Sequence, residues 1–426
     1  MPVRGIWREP DFLKLWAGQS VSQVGSWITL VGLPLIAAKL LNASPLQMGI
    51  LSGAGAAAIL LLGLFAGAWA DRLRRRPILI WTDLGRAAVL GTVPLAAAFH
   101  RLTMGHLYLI AGASAALTVL FDVSYQAYLP SLVSSENLLE GNSKLALSES
   151  VAGVVGPGIT GLLVAAITAP MAILFDAISF VWSAISVALI RKPEPRPEPS
   201  AAPHIGREIM EGLRASWREP ILRTLLLRAA TAAIFVGFGG SLYILFAVRE
   251  LKIGAALLGV VIAVGGCSGV LGALAAERLV RRFGIGPTLI GAALLPAAAS
   301  LLPPLAHGSV AVCAAMLAIA QAGDIGWSVY GINELTLRQA VAPSHVLGRV
   351  NSAAHLMFSG VLPAGALLAG AIAQVIGLRA AMFVGAGGFL LSTLWLICSP
   401  IRRLRDLPHV ANVAQAAPSA SAGSAC

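Results

Sequence analysis

Long apolar segments and short polar breaks alternate along the whole chain. Because a bilayer core is about 30 Å thick, one membrane-spanning helix needs about 20 predominantly apolar residues. Twelve segments meet this length, and we number them spans 1 to 12. They cover residues 12–38, 46–70, 78–99, 106–128, 145–168, 170–190, 222–247, 255–276, 285–306, 309–335, 351–376 and 379–398. The pattern predicts an all-α integral membrane protein with twelve transmembrane helices.

Short motifs recur about 210 residues apart, in the same order. Trp7–Pro10 before span 1 reappears as Trp217–Pro220 before span 7, and two further matches follow spans 2 and 4 of the first half. Such repeats indicate a duplication into two six-helix bundles. We therefore divide the chain into an N-terminal bundle (1–190), a linker (191–219), a C-terminal bundle (220–399) and a cytoplasmic tail (400–426).

The linker combines a proline-rich stretch with an amphipathic segment. Residues 192–199 alternate proline with charged residues, so this stretch is predicted to be extended. Ile205, Ile209 and Leu213, with charged residues between them, predict an amphipathic helix on the membrane surface. The Ala/Ser-rich residues 410–426 are predicted to be disordered.

Composition and charge exclude the common soluble classes. Only 12% of the residues are charged and 57% are hydrophobic, whereas a soluble domain has about 25% charged residues. The net charge of +11 therefore does not indicate a nucleic-acid binder, which needs a more polar surface. Of the 30 Lys and Arg residues, 24 fall on one side of the twelve-span arrangement, five on the other, and Arg86 inside span 3. This asymmetry predicts that both termini are cytoplasmic.

The motifs that nucleotide-driven pumps and common hydrolases need do not occur in the sequence. No lysine follows a glycine, so no phosphate-binding P-loop can form, and neither HExxH nor GxSxG occurs. The four cysteines show no disulfide or metal-ligand spacing. We therefore expect no cofactor, no metal and no catalytic residue in this chain, and we expect no ATP site.

The end of span 2 and the following loop carry a glycine, an aspartate and several arginines: Gly67, Asp71, Arg72, Arg75 and Arg76. This segment resembles the GxxxDRxGRR signature of the major facilitator superfamily, with Arg74 at the position of the second glycine. The resemblance implies that Asp71 docks against the start of span 11 and latches the cytoplasmic gate. The alternative is a basic cluster that only sets the topology.

Span 5 carries a second motif, formed by Gly153, Gly156, Pro157 and Gly161. It resembles the antiporter-associated GPxxGG motif, with Thr160 in place of one glycine, and it predicts a bent helix that packs closely on a neighbour. We expect span 8, with Gly265, Gly269 and Gly272, to be its counterpart. This resemblance implies export with proton exchange. Residues 126–130, 176–180 and 348–352 resemble the enterobactin-exporter and macrolide-efflux branch of the superfamily, which implies a bacterial inner-membrane protein.

Several ionisable residues fall inside predicted spans, where each needs a partner, a proton or a wet cavity. Asp83 and Arg86, three residues apart on span 3, predict a pair on one helix face. Asp122 on span 4 is expected to partner an arginine of the inner gate, Arg72 or Arg86, or else to carry a proton. Asp176 on span 6 is expected to make structural hydrogen bonds.

Asp324 on span 10 is the strongest candidate for proton coupling. About 13 residues separate it from the cytoplasmic boundary, which corresponds to roughly 20 Å and places it near the midplane. Its partner must come from another helix, from water or from a proton, because span 10 has no Lys or Arg before Arg338. The resemblance implies that spans 1, 4, 7 and 10 line the central cavity. Asp324, on span 10, is then expected to lie in the wall of that cavity. A structural, hydrogen-bonded acid remains the alternative, and Glu334 is a weaker second proton site.

Aromatic and amide side chains on the same four spans are candidates for substrate contact. Gln19, Gln23 and Trp27 recur every four residues on span 1 and predict one stripe. The remaining candidates are Tyr125, Gln126, Phe235, Tyr243, Trp327 and Tyr330. An apolar, aromatic cavity with few polar anchors suits an amphiphilic organic molecule.

Together, these features predict a secondary transporter that exports an amphiphilic drug, siderophore or metabolite, with protons and membrane lipid as its other partners. Alternating access with proton antiport is the favoured mechanism. The alternatives are a facilitator or importer of a small organic metabolite, and a membrane sensor of the same fold that does not transport. We do not expect an enzyme.

Overall fold

The computed structural model describes residues 6–70, 73–194 and 205–408. The described chain is helical, and twelve of its helices are long and apolar enough to cross a bilayer. The predicted all-α fold with twelve transmembrane helices is therefore confirmed. The terminal residues 410–426 and most of the proline-rich stretch lie outside the described residues.

Nine spans are continuous helices, and three are interrupted. Spans 1 to 6 are Pro10–Lys39, Pro45–Ala70, Arg75–Ala98, Met104–Leu132, Leu138–Ala166 and Ala169–Ala188. Spans 7, 8 and 11 are Pro220–Arg249, Ala255–Phe283 and Leu347–Ile376. The interrupted spans are span 9 (Ile285–Ala299, Leu302–Leu305), span 10 (Val310–Ala322, Asp324–Val341) and span 12 (Leu378–Ser392, Leu394–Ile397). The linker helix is Ile205–Arg218, and short 3-10 helices cover Ile6–Arg8, Ser135–Asn137 and Pro400–Arg403.

The helices extend beyond the apolar segments mainly at one end of the bundle. Span 5 begins at Leu138 rather than at residue 145, and span 8 ends at Phe283 rather than at residue 276. A hydropathy pattern identifies only the part of a helix that lies in lipid. It therefore does not detect polar turns that continue the helix into water.

Spans 1 and 7 begin and end in the same way. Pro10 and Pro220 each occupy the first helical turn, where the missing N–H of proline costs little. Each helix has 30 residues. The chain then leaves through a residue with positive φ, 49° at Asn42 and 57° at Lys252. This shared geometry at an offset of 210 residues supports the internal duplication seen in the sequence.

Among the described residues, the buried contacts between the two halves lie towards one end. We call the end at which the odd-numbered spans begin the basic end, and the other the opposite end. Towards the opposite end, one buried cluster joins Ile28 and Val31 of span 1 to Phe238 and Leu242 of span 7. Span 2 also packs on span 11, and span 5 on span 8.

At the basic end, the buried clusters belong to one half each. Leu79, Phe121 and Tyr128 belong to a cluster of the N-terminal half, whereas Leu225 and Leu337 belong to one of the C-terminal half. The halves therefore share a core towards the opposite end, and separate cores support them at the basic end.

The predicted amphipathic helix is present and packs on the C-terminal half. Glu211 forms an ion pair with Arg349 of span 11 at 2.8 Å. Gly212 allows the close approach, because a Cβ there would collide with the backbone of Arg349. The linker helix thus lies across the basic end of spans 7 and 11.

Candidate functional site

Span 10 is interrupted next to Asp324, where the sequence predicts a continuous helix. The first part ends at Ala322, and the second begins at Asp324. Gly323 and Gly326 permit span 9 to approach, since a Cβ on either would lie 2.6 Å from an atom of that span. Asp324 therefore occupies the first turn of a helix, where the positive end of the helix dipole favours a carboxylate.

The Asp324 carboxylate faces span 8 and span 7. A Cβ added to Gly265 of span 8 would lie 2.9 Å from Asp324 Oδ2. The Tyr243 hydroxyl of span 7 is close enough to interact electrostatically with the carboxylate. Asp324 makes no ion pair within residues 6–70, 73–194 and 205–408. An acid in this setting can be stabilised by a proton, by water or by the helix dipole.

The span 5 motif packs on span 8 and joins the two halves. A Cβ on Gly161 would lie 2.5 Å from the carbonyl oxygen of Ala255 and 3.0 Å from the Cα of Gly259. Gly266 lies against the backbone of Gly153 in the same way. The predicted close helix contact is thus present at Gly153, Pro157 and Gly161, whereas Gly156 lies under the indole of Trp27.

Span 8 is the neighbour that the sequence predicts, but the glycines that make the contact are different ones. Gly265, Gly269 and Gly272 face span 10, where they meet Asp324, Ser328 and Ile325. Gly259 and Gly266 face span 5 instead. Consecutive helical residues point about 100° apart, so Gly265 and Gly266 serve different neighbours.

Asp83 and Arg86 form the predicted pair inside the N-terminal half. Arg86 Nη2 donates to Asp83 Oδ1 at 2.5 Å, and both side chains are buried. The guanidinium also lies between the rings of Phe121 and Phe180, 4.5 and 4.0 Å from their centroids. These contacts make Arg86 part of the core of this half.

Asp122 lies near a second acid that the sequence reading missed. Asp122 of span 4 and Glu149 of span 5 are both exposed and interact electrostatically with each other. The Tyr125 hydroxyl is near both acids, and Asp122 also interacts with Arg86. Glu149 is the fifth residue of the predicted span 5. An acidic residue inside a predicted span was therefore the feature of the sequence that could have identified it.

The predicted polar stripe on span 1 does not face one cavity. Gln19 is 4% exposed and donates through Nε2 to Ser183 Oγ of span 6 at 3.2 Å. Trp27 packs on Gly156 of span 5. Each step of four residues rotates the side-chain direction by about 40° around the helix. Gln19 and Trp27, eight residues apart, therefore point about 80° away from each other. Asp176 accepts hydrogen bonds from Thr29 and Ser179, which agrees with its predicted structural role.

The other cavity candidates divide into packed and accessible side chains. Phe235 packs on Gly388 of span 12, which corrects its assignment to the cavity. Gln126 is exposed, and Trp327 is 41% exposed beside Phe358 and Phe389.

Three candidates carry a buried polar atom that has no hydrogen-bond partner in the part of the chain that the structure describes. These atoms are Gln23 Oε1, Tyr125 Oη and Tyr243 Oη. Buried polar atoms are normally hydrogen-bonded to protein or water. Each of these three atoms therefore has hydrogen-bonding capacity that an ordered water molecule can satisfy.

Glu334 is paired with an arginine of the same helix. Arg338 Nε donates to Glu334 Oε1 at 3.1 Å, and Arg338 Nη1 donates to Asn351 Oδ1 at 3.2 Å. This pairing argues against Glu334 as a second proton site. The centroid of the Tyr330 ring lies 3.7 Å from the guanidinium carbon of Arg228, which is 4% exposed inside span 7.

Only part of the predicted gating motif lies in the described residues. Gly67 belongs to the span 2 helix, whereas Asp71 and Arg72 lie outside the described residues. The backbone N–H groups of Arg75 and Arg76 donate to the Glu194 carboxylate at 2.7 and 3.1 Å. Arg76 also donates to the last carbonyls of span 6, 2.7 Å from that of Ala188. These two arginines therefore hold the basic end of the N-terminal half together.

Comparison with known proteins identifies a family and several relatives of this chain. A family model described as transmembrane secretion effector matches residues 6–421. The chain is 27% identical over 418 residues to the multidrug efflux pump Tap of Mycolicibacterium fortuitum, covering 94% of this chain and 97% of that protein. It is 24% identical over 419 residues to macrolide efflux protein A of Streptococcus pyogenes, covering 93% and 97%.

The fold is similar to solved transporter structures. A bacterial homologue of the iron transporter ferroportin in its inward-facing state matches with a TM-score of 0.73 at 18% identity, covering 93% of this chain and 99% of that chain. Its outward-facing state matches with a TM-score of 0.56 at 22% identity, covering 91% and 98%. The arrangement of the two halves is thus nearer to the inward-facing of these two structures.

Proposed function

The chain belongs to the transmembrane secretion effector family of the major facilitator superfamily, and from this membership we propose that it exports an amphiphilic small molecule by proton antiport. As a member, it is a multi-pass membrane transporter and not an enzyme. The observation that carries the proton-coupling part is the Asp324 carboxylate at the interruption of span 10. It lies against span 8, which contacts the other half, and it has no ion-pair partner among the residues that the structure describes.

The basic end is the cytoplasmic end in this proposal. The excess of Lys and Arg at that end supports this orientation through the positive-inside rule, with both termini in the cytoplasm of a bacterium. The shared core towards the opposite end then corresponds to a closed outer gate and an inward-facing state. The better match to the inward-facing ferroportin homologue supports the same orientation.

Coupling would act through the neighbouring glycines of span 8. Asp324 contacts Gly265, and the next residue, Gly266, packs on Gly153 of the span 5 motif. A proton on Asp324 would remove a charge that is costly in an apolar setting, which changes how tightly spans 8 and 10 pack. Inward proton movement supplies about 2.3 kcal/mol per 100 mV of membrane potential, which can drive export.

The acidic side chains on spans 4 and 5 favour a substrate that carries a positive charge. Asp122 and Glu149 are exposed, close to each other and beside the aromatic ring of Tyr125. Carboxylates attract a cation, and an aromatic ring can stack on its apolar part. Trp327 would extend this surface in the C-terminal half. The names of the multidrug and macrolide efflux relatives support export of such a molecule.

The latch at the cytoplasmic gate remains part of the proposal. In the inward-facing state, Asp71 would be released from the start of span 11, and it would dock there when the gate closes. The contacts of Arg75 and Arg76 within the N-terminal half would keep the loop after span 2 in place for that docking.

Transport into everted membrane vesicles tests the export proposal. The probes are ethidium, an amphiphilic cation, and chloramphenicol, a neutral amphiphile, in vesicles with and without the protein. Accumulation of ethidium that collapses on addition of an uncoupler is the expected result. Equilibration without accumulation would favour a facilitator, and binding without translocation would favour a sensor. Glu277→Gln, at an exposed acid of span 8, is the control for loss of a carboxylate.

A further inference from the structure

A groove of about 460 Å³ lies where the linker helix meets spans 7 and 11. Its apolar walls include Leu226 and Ala230 of span 7 and Met357 of span 11. The linker helix contributes the polar and interfacial side chains Arg214, Trp217 and Arg218. The lining surface is almost wholly apolar on both sides, and the exposed Arg214 and Arg218 contribute mainly their aliphatic stems to it.

The depth of the groove matches a membrane lipid. Ala230 lies ten residues inside span 7, about 15 Å from the start of that helix at 1.5 Å per residue. This distance is about half of the 30 Å hydrocarbon core. Trp217 is 54% exposed, and tryptophan is enriched at the boundary between headgroups and hydrocarbon. The groove therefore runs from the headgroup region into the level of the acyl chains.

The two arginines of the linker helix determine which class of lipid headgroup fits the groove best. Arg214 and Arg218 are one helical turn apart, so they lie on the same side of the linker helix. Both are exposed, and neither forms an ion pair within the described ranges. Guanidinium groups bind phosphate oxygens in a forked geometry. Two adjacent arginines at headgroup level fit an anionic headgroup better than a zwitterionic one.

We propose that this groove binds one anionic phospholipid, with its phosphate at Arg214 and Arg218 and an acyl chain along Leu226 and Ala230. The bound lipid would connect the linker helix to spans 7 and 11 and stabilise its position on the C-terminal half. The site is separate from Asp324 and from the contact between the halves.

Brominated lipids provide the test, because bromine quenches a tryptophan only at short range. The full-length protein is placed in phosphatidylcholine nanodiscs that contain a small fraction of either acyl-brominated phosphatidylglycerol or acyl-brominated phosphatidylcholine. The signal of Trp217 is the difference between each protein and its Trp217→Phe counterpart. We expect phosphatidylglycerol to quench this signal at a much lower fraction than phosphatidylcholine does.

Matched variants assign the preference to the two arginines. Arg214→Gln with Arg218→Gln should lower the preference roughly thirtyfold, since each basic residue near an anionic surface contributes about fivefold. Arg214→Lys with Arg218→Lys should largely restore it, which excludes misfolding as the cause. Arg278→Gln with Arg282→Gln removes the same charge from an exposed end of span 8 and should leave it unchanged. Ala230→Leu, which narrows the apolar part, should weaken quenching by both lipids.

Three results would overturn the proposal. Equal quenching by the two lipids would mean that charge does not select the occupant. An unchanged preference in the double glutamine variant would remove the arginines from the site. No quenching of Trp217 by either lipid would show that the groove is closed to lipid.

Discussion

Asp324 of span 10 lies directly against Gly265 of span 8, so that a Cβ on Gly265 would come within 2.9 Å of Asp324 Oδ2. The next residue, Gly266, packs on Gly153 of span 5 across the contact between the two halves. One short segment of span 8 therefore touches both the candidate proton site and the contact between the two halves. This adjacency gives a physical route by which protonation can bias the opening of one end.

Gly265→Ala should impair coupled transport. The added methyl group collides with the Asp324 carboxylate, and overpacking of this kind costs about 1–3 kcal/mol. We expect uncoupler-sensitive ethidium accumulation to fall about tenfold or more. Gly269→Ala is the matched control on the same helix face, because its Cβ would meet only Ser328 Oγ at 3.3 Å, a side chain that can rotate. Equal effects of both variants would argue against a special role of the Asp324 contact.

Gly161→Ala should weaken the contact between the halves and populate a state open at the opposite end. Its Cβ would lie 2.5 Å from the Ala255 carbonyl oxygen, and backbone cannot move away as a side chain can. Spin labels at Leu162 and Leu257, in a variant without the four native cysteines, report the separation of spans 5 and 8. We expect longer distances in Gly161→Ala and no change in Gly158→Ala, whose Cβ meets nothing within 4 Å.

Removing one member of the buried Asp83–Arg86 pair should be strongly destabilising. Each single variant, Asp83→Asn or Arg86→Gln, leaves an uncompensated buried group, which typically costs about 3–5 kcal/mol. The double variant should lose less than the sum of the two. Thermal unfolding in detergent measures the effect, and the exposed Glu277–Arg281 pair is the control, for which we expect no measurable change. Additive losses would mean that the pair does not act as a unit.

Asp122→Asn and Glu149→Gln should change substrate preference. Both acids are exposed beside Tyr125, so removing their charge weakens the attraction of a cation and leaves neutral molecules unaffected. Where chloramphenicol is a substrate, its transport should be retained while ethidium transport falls severalfold. Parallel loss of both would show that these acids serve a step common to all substrates.

The sequence predicted the spans and the two-half fold because both depend on strong, local signals. A span must be apolar over about 20 residues whatever its neighbours are. The two proline-started helices, Pro10–Lys39 and Pro220–Arg249, repeat a motif that is readable without any tertiary information. The Asp83–Arg86 pair was likewise predictable, because three-residue spacing places both side chains on one helix face.

The neighbours of each helix face were not predictable from one sequence. Gly265 and Gly266 are adjacent and equally small, yet they pack on different spans. Gln19 and Trp27 share a four-residue repeat with Gln23, but the repeat turns slowly around the helix and carries them to different partners. No partner for Arg228 inside span 7 was predictable, but the Tyr330 ring lies under its guanidinium and allows it to be buried.

The most direct test of the account is proton movement in proteoliposomes that contain the purified protein or Asp324→Asn. A trapped pH-sensitive dye records proton flux when ethidium is added on one side. The account predicts substrate-dependent proton flux in the unaltered protein and in Glu277→Gln. It predicts loss of that flux in Asp324→Asn, with ethidium binding and the elution profile of the folded protein retained. Undiminished proton flux in Asp324→Asn would contradict the account.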